Sequence, residues 1–256
     1  MTIKIHKAKK SLGQNFLKSI PALKKIVEAG EIKNGDLILE IGPGKGALTE
    51  RLLGSGGQVI AVEKDRELIK LLSEKFNEKI KNKRLVLVEE DILKYKQQNG
   101  NYKVIANIPY NITGAILKKF LAAENQPERM VLMVQNEVAR RILVRNEKES
   151  ILSISVKVYG TPEIVMKVPA RYFSPAPKVD SAVIAIKNIS RRIFEENNIK
   201  EDEFFAVLRA GFAHKRKKLA SNLKSFPEIV NKGDLGNKRA EELALKDWIA
   251  LVKMIQ

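Results

Sequence analysis

The stretch Asn107-Ile108-Pro109-Tyr110 sets side by side the residue types that a transfer to an amine requires. The exocyclic amine of adenine is a weak nucleophile, because its lone pair is delocalised into the ring. Acceptors placed on its two hydrogens favour a more tetrahedral, more reactive nitrogen. The Asn107 side-chain oxygen and the Ile108 backbone carbonyl can be those acceptors. Pro109 stiffens the loop so that the carbonyl stays aimed, and Tyr110 offers a face on which an extruded base can stack. A sulfonium methyl as electrophile leaves a neutral thioether, so the demand on the protein is positioning rather than a strong general base. The chain has only two histidines, His6 and His214, which agrees with that chemistry. Taken alone, the four residues also read as a proline turn after a strand.

A second cluster is Glu40-Ile41-Gly42-Pro43-Gly44-Lys45-Gly46, where glycines let the backbone turn sharply and approach a ligand. A Walker A loop is excluded, since Lys45 is followed by Gly46 rather than Ser or Thr and the spacing before it is wrong. Gly42-x-Gly44-x-x-Ala47 fits a relaxed dinucleotide fingerprint, and Glu-x-Gly-x-Gly-x-Gly fits an S-adenosylmethionine (AdoMet) loop better. A tight turn with no ligand is the remaining reading. Glu63 comes about 20 residues further on, where a carboxylate accepts the ribose hydroxyls of NAD or AdoMet alike. Asp91 follows the next apolar run, placed to accept an adenine amino group or simply to cap a turn.

These groups sit at the ends of short apolar runs. Asp36–Ile41, Gln58–Val62, Arg84–Val88, Tyr102–Ala106 and Arg129–Val134 read as strands. Ala47–Leu53, Glu67–Phe76, Gly114–Ala122 and Val138–Val144 read as helices between them, after a first helix beyond Pro21. The alternation predicts an α/β fold with a parallel sheet covered on both faces, and ligands at strand ends suit such a sheet. Glu163–Val168 and Ser181–Lys187 read as strands that end the sheet like a hairpin. Beyond Asn188 only helices are expected, over Asp202–Ala213, Arg216–Ser225 and Arg239–Ile255, with breaks at Pro227 and at Gly233 and Gly236. The expected domains are 1–187, which carries the sheet, and 188–256, small and all-helical.

Composition narrows the function. The 256 residues include no cysteine, 47 Lys+Arg and 30 Asp+Glu, for a net charge of +17. The absence of cysteine excludes disulfide scaffolds, thiol catalysis and cysteine-ligated metals, and no metal site is expected. Apolar runs such as Met130–Val134 fall well short of the ~18 residues of a membrane span. The basic N-terminus has no signal-peptide apolar region, so a soluble cytoplasmic chain is expected, with no membrane partner. An excess of +17 opposes compaction and attracts polyanions, which makes nucleic acid the favoured partner. A general solubility effect is the alternative.

Together these motifs resemble the KsgA family of small-subunit ribosomal RNA adenine dimethyltransferases. The likeness runs through Leu12-Gly13-Gln14-Asn15-Phe16-Leu17, Glu40–Gly46, Asn107–Tyr110, Val134–Ala139, Phe173–Ser181 and Gly211–Leu219, nearly the whole chain. It implies a doubly wound, Rossmann-like AdoMet-dependent methyltransferase sheet with a helical RNA-binding domain. The implied reaction is N6,N6-dimethylation of two adjacent adenines near the 3′ end of small-subunit (16S) RNA. The implied partner is the immature 30S particle, met by a monomer. The implied cofactor contacts are Asn15, Leu17, Gly42, Glu63, Asp91 and Asn107, with Gly44 in the same loop. Tyr110 and Phe173 are implied to sandwich the target base. The Erm methylases of large-subunit RNA share the glutamine–asparagine–phenylalanine–leucine and asparagine–isoleucine–proline–tyrosine motifs and are one alternative. A ribosome-assembly factor whose catalysis is secondary is the other. Finally, Lys215-Arg216-Lys217-Lys218 reads as a basic run at a helix start. Cations are unfavourable there unless a phosphate partner offsets the helix dipole.

Overall fold

The computed structural model describes residues 7–96, 100–143, 148–230 and 234–255. His6, Val144 and Gly233 lie outside the described residues. The chain divides into two compact units, Met1–Ala139 with Glu163–Ile189, and Arg140–Pro162 with Ser190–Gln256.

The first unit begins with β1 (Phe16–Leu17) and α1 (Ile20–Ala29). Ser19 starts α1 by accepting from the Ala22 amide, and Pro21 fits the first turn, where no N–H is needed. The alternation follows as β2 (Leu37–Ile41), α2 (Ala47–Gly54), β3 (Gln58–Glu63), α3 (Arg66–Lys75), α4 (Asn77–Lys81) and β4 (Leu85–Glu89). It continues with β5 (Lys103–Asn107), α5 (Thr113–Leu121), β6 (Arg129–Gln135) and α6 (Asn136–Leu143), which runs across the unit boundary. After α7 (Ile151–Lys157) come β7 (Thr161–Val168), β8 (Phe173–Ser174) and β9 (Ser181–Lys187).

Seven strands form one sheet in the order β4-β3-β2-β5-β6-β9-β7. The neighbours from β4 to β6 are parallel, and β9 runs antiparallel to β6. The run of buried residues in β5 and β6 is what a strand covered on both faces requires. From β2 the chain builds outward through β3 and β4, then returns to the other side of β2 with β5. The strand order therefore reverses between β2 and β5, and the carboxyl ends of strands there open into a crevice. The two-residue strands β1 and β8 pair separately, with Leu17 opposite Phe173 and Phe16 opposite Ser174.

In the second unit, α7 groups with α8 (Arg192–Asn197), α9 (Glu201–Gly211), α10 (Leu219–Asn222), α11 (Pro227–Val230) and α12 (Leu245–Val252). The sequence reading put segment 140–162 with the sheet. Tyr159 explains the difference: it lies 5.6 Å from the Phe194 ring and 5.9 Å from Phe205, and its carbonyl accepts the Ser190 amide. Two expected helices also shrink. Arg216–Ser225 is helical only over α10, and Arg239–Ile255 is a short 3-10 turn at Ala240–Glu242 followed by α12. The break between them is the extended backbone of Leu243 and Ala244, with ψ of 126° and 166°. Trp248 is fully buried beside Phe212.

Candidate active site in the cleft at the strand ends

The crevice holds a cleft of about 500 Å³ lined wholly by the first unit. Asn15, Leu17, Gly42, Gly44, Glu63, Asp91, Asn107, Ile108, Pro109 and Tyr110 all line it. Phe173 does not, among the described residues; it is 3% exposed, packed in the core and opposite Leu17 in the β1–β8 pair. Lys215, Arg216, Lys217 and Lys218 lie in the second unit, all exposed. They form a turn that ends with Lys218 as the N-cap of the four-residue α10. The expectation of four charges crowded on a helix dipole is thereby corrected: so short a helix has almost no dipole.

The glycine loop has three differently constrained positions. Gly42, Gly44 and Gly46 have φ of +63°, +59° and +78°, all in the left-handed region. A Cβ on Gly46 would lie 2.5 Å from Phe76, and one on Gly44 would lie 2.9 Å from Phe16. A Cβ on Gly42 would meet nothing nearer than Pro109 at 3.9 Å. Gly46 thus serves helix packing, Gly44 the seating of the N-terminal segment, and Gly42 keeps the cleft open.

The amides of these glycines are already committed. Gly42 donates to the Val62 carbonyl at 2.9 Å, Gly46 to Pro43 at 2.9 Å, and Gly44 to Glu63 Oε2 at 3.3 Å. A pyrophosphate site needs such amides free for the phosphates. The loop suits a ligand without phosphates, and the carboxylates around it suit a cationic one.

Glu63 ends β3, nearly buried, and its Oε1 accepts the Asp65 amide at 2.9 Å. Burial raises its pKa, against the lowering effect of the Asp65 and Gly44 amides. Asp91 follows β4: Oδ1 accepts the Leu93 amide at 2.9 Å and Oδ2 pairs with Lys64 at 2.9 Å. The Leu93 amide and then Lys64 hold its pKa low. One oxygen of Asp91 thus caps a turn, the other pairs with Lys64, and the residue lines the cleft.

Asn107 ends β5, and its Nδ2 donates to the Asn15 carbonyl at 3.2 Å. An amide with its nitrogen held in this way has its oxygen fixed as an acceptor. Tyr110 is held by a 2.5 Å hydrogen bond between its hydroxyl and Ser181 Oγ, and burial raises its pKa. Ser181 was not anticipated as a site residue. It is separated from Tyr110 by 71 residues, and only the register of β9 against β6 brings it there. Glu40 was also missed as an individual residue: it lines the cleft 1% exposed, with Oε2 unpartnered. Its signal was an acid inside an otherwise apolar strand, Leu37-Ile38-Leu39-Glu40-Ile41.

A doubly wound sheet of this order, with a glycine loop after its first long strand and an antiparallel partner for β6, defines a Rossmann-like methyltransferase. The crystal structure of a dimethyladenosine transferase from Plasmodium falciparum is similar at a TM-score of 0.79 and 29% identity, over 92% of this chain and 95% of that one. The 23S rRNA methyltransferase ErmE is similar at 0.74 and 25%, over 94% and 99%. A ribosomal RNA small subunit methyltransferase A of Dehalococcoides mccartyi is 43% identical, over 94% of this chain and 86% of its own. The protein of that name from Thermosynechococcus vestitus is 40% identical, over 98% and 97%. The chain belongs to the ribosomal RNA adenine dimethylase family, whose model matches residues 5–256.

Proposed function

We propose that the protein dimethylates the N6 nitrogen of two adjacent adenines near the 3′ end of small-subunit ribosomal RNA, with AdoMet as methyl donor. The observation that carries this reading is the Asn107 amide, anchored by the Asn15 carbonyl at 3.2 Å in a cleft it shares with Glu63, Asp91 and Tyr110. The 43% identity to a small-subunit methyltransferase, against 25% to ErmE, favours the small-subunit substrate.

AdoMet, when bound, supplies a methyl group on a positive sulfur. Glu63 takes the ribose hydroxyls, Asp91 the adenine amino group, and Asn15, Leu17, Gly42 and Gly44 form the wall. Asn107 Oδ1 and the Ile108 carbonyl accept from the target amine, Pro109 fixes their spacing, and Tyr110 stacks on the base. Ser181 holds the Tyr110 ring in orientation. Phe173, buried here, completes the sandwich only if the loop carrying it uncovers the ring on RNA binding. The basic turn Lys215–Lys218 grips phosphates of the immature 30S particle, and the second unit serves as its docking module. The enzyme acts as a monomer in the cytoplasm, where small subunits assemble. No helix among the described residues is long and apolar enough to cross a membrane.

Calorimetric titration tests the cofactor assignment. AdoMet should bind the purified protein and NAD should not. Binding of NAD in place of AdoMet would overturn the assignment of the cleft.

A further inference from the structure

Asp65 stands two residues beyond Glu63, and its own amide donates to Glu63 Oε1 at 2.9 Å. Its carboxylate is 1% exposed and receives donors on both oxygens. Lys9 Nζ binds Oδ1 at 2.7 Å, Gln14 Nε2 binds Oδ2 at 2.8 Å, and the Glu67 amide binds Oδ1 at 3.1 Å as the cap of α3. Gln14 Oε1 in turn accepts the Lys9 amide at 2.8 Å, and Lys9 Nζ lies 3.4 Å from Glu67. The next residue, Asn15, offers its carbonyl to Asn107.

An exposed ion pair contributes little, but this carboxylate is buried and bonded on both oxygens. Burial alone would raise its pKa; the bonds from Lys9, Gln14 and the Glu67 amide outweigh that and hold it low. The contacts make a continuous path from the ribose-binding carboxylate to the amide that accepts from the target amine. Loss of the Lys9 and Gln14 bonds loosens residues 9–15, with the Asn15–Asn107 bond and the β1–β8 pair among the contacts that remain on this segment.

We propose that Asp65 is a positioning residue for methyl transfer, clasping residues 9–17 through Lys9 and Gln14 so that the Asn15 carbonyl orients Asn107. This rests on the methyl-transfer reading above. It adds Lys9 and Asp65, which do not line the cleft, and Gln14, which does.

The test uses the full chain carrying Lys9→Met with Gln14→Leu, which leaves the Asp65 cap of α3 intact. Lys9→Arg is the conservative control. A misplaced catalytic group costs on the order of tenfold or more, so turnover at saturating AdoMet and RNA should fall by that factor in the double variant. RNA affinity should hold, and Lys9→Arg should retain most of the turnover. Hydrogen exchange at amides 12–17 should quicken about tenfold or more, because the local opening no longer breaks the clasp. Unchanged exchange in the folded double variant would overturn the clasp, whatever the cleft binds. Faster exchange with unchanged turnover would overturn its positioning role. Wild-type protein that binds no AdoMet would count against the functional reading, while the exchange experiment would still decide the clasp.

Discussion

Glu40 carries a carboxyl into a place without solvent, and burial, with the Glu63 carboxylate adding to it, pushes its pKa up to about 8. The folded chain therefore holds a proton that the unfolded chain releases near pH ~4.3. Between those values the folded state binds more protons, so stability falls as pH rises, by up to about 1.4 kcal/mol per unit. Glu40→Gln removes this dependence. Thermal melts should show the variant gaining on the wild type from pH 5.5 to pH 8, on the order of a few degrees; a difference independent of pH would mean that Glu40 is ionised in the fold. Asn107 is a different case: its Nδ2 is held by the Asn15 carbonyl, and its Oδ1 is the proposed acceptor. Asn107→Ala should lower turnover on the order of 10²-fold, as loss of one preorganised polar group does elsewhere, with RNA affinity retained. Near-normal turnover at saturating substrates would remove the amine-activating role. If Glu63 takes the ribose hydroxyls as proposed, Glu63→Ala loses two hydroxyl bonds to a charged group, roughly 1.5–3 kcal/mol each before water replaces part of them. Calorimetry should read a clear loss of AdoMet affinity.

The glycine loop between β2 and α2 separates ligand from packing. Gly46→Ala forces a Cβ to 2.5 Å from Phe76, an overpacking that costs roughly 1–3 kcal/mol. Gly42→Ala meets no neighbour closer than 3.9 Å and bears only the left-handed strain, roughly 1–2 kcal/mol. Melting with and without AdoMet should show Gly46→Ala losing stability in both conditions. Gly42→Ala should chiefly lose the shift that AdoMet gives, and the reverse pattern would mean that Gly42 is a packing glycine. The same elements show why so much was legible beforehand. Strands buried on both faces, such as Met130–Val134, announce themselves as apolar runs, and the site residues Glu63, Asp91 and Asn107 follow such runs. The C-terminal helices were not so legible, because their ends are set by partners: α10 stops where Asn222 turns its side chain to the Gly211 carbonyl at 2.6 Å. Asn15 and Leu17 carry no chemistry of their own that a pattern can reveal, and only the motif resemblance singled them out. Ser181 reaches Tyr110 through strand register alone, which no local spacing encodes.

At the scale of the whole molecule, the +17 charge must find a polyanion to be more than a burden on folding. The turn Lys215–Lys218 is exposed and belongs to the second unit, whereas the cleft is lined by the first. If each of these residues contacts a phosphate, the salt dependence of RNA binding carries a slope of about −0.7 to −0.9 per contact. Replacing all of them by Gln should flatten the slope by up to ~3 units and leave AdoMet binding unchanged. An unchanged slope in the folded variant would place the grip on the first unit. The central claim, that this cleft dimethylates adenine in small-subunit RNA, is tested most directly by mapping the product. The protein is expressed in bacteria whose small-subunit RNA lacks dimethyladenosine, and both ribosomal RNAs are digested and analysed by mass spectrometry. N6,N6-dimethyladenosine should appear at two adjacent positions near the 3′ end of the small-subunit RNA, and none there with Asn107→Ala. Dimethyladenosine appearing in the large-subunit RNA instead, or in neither, would contradict the central claim.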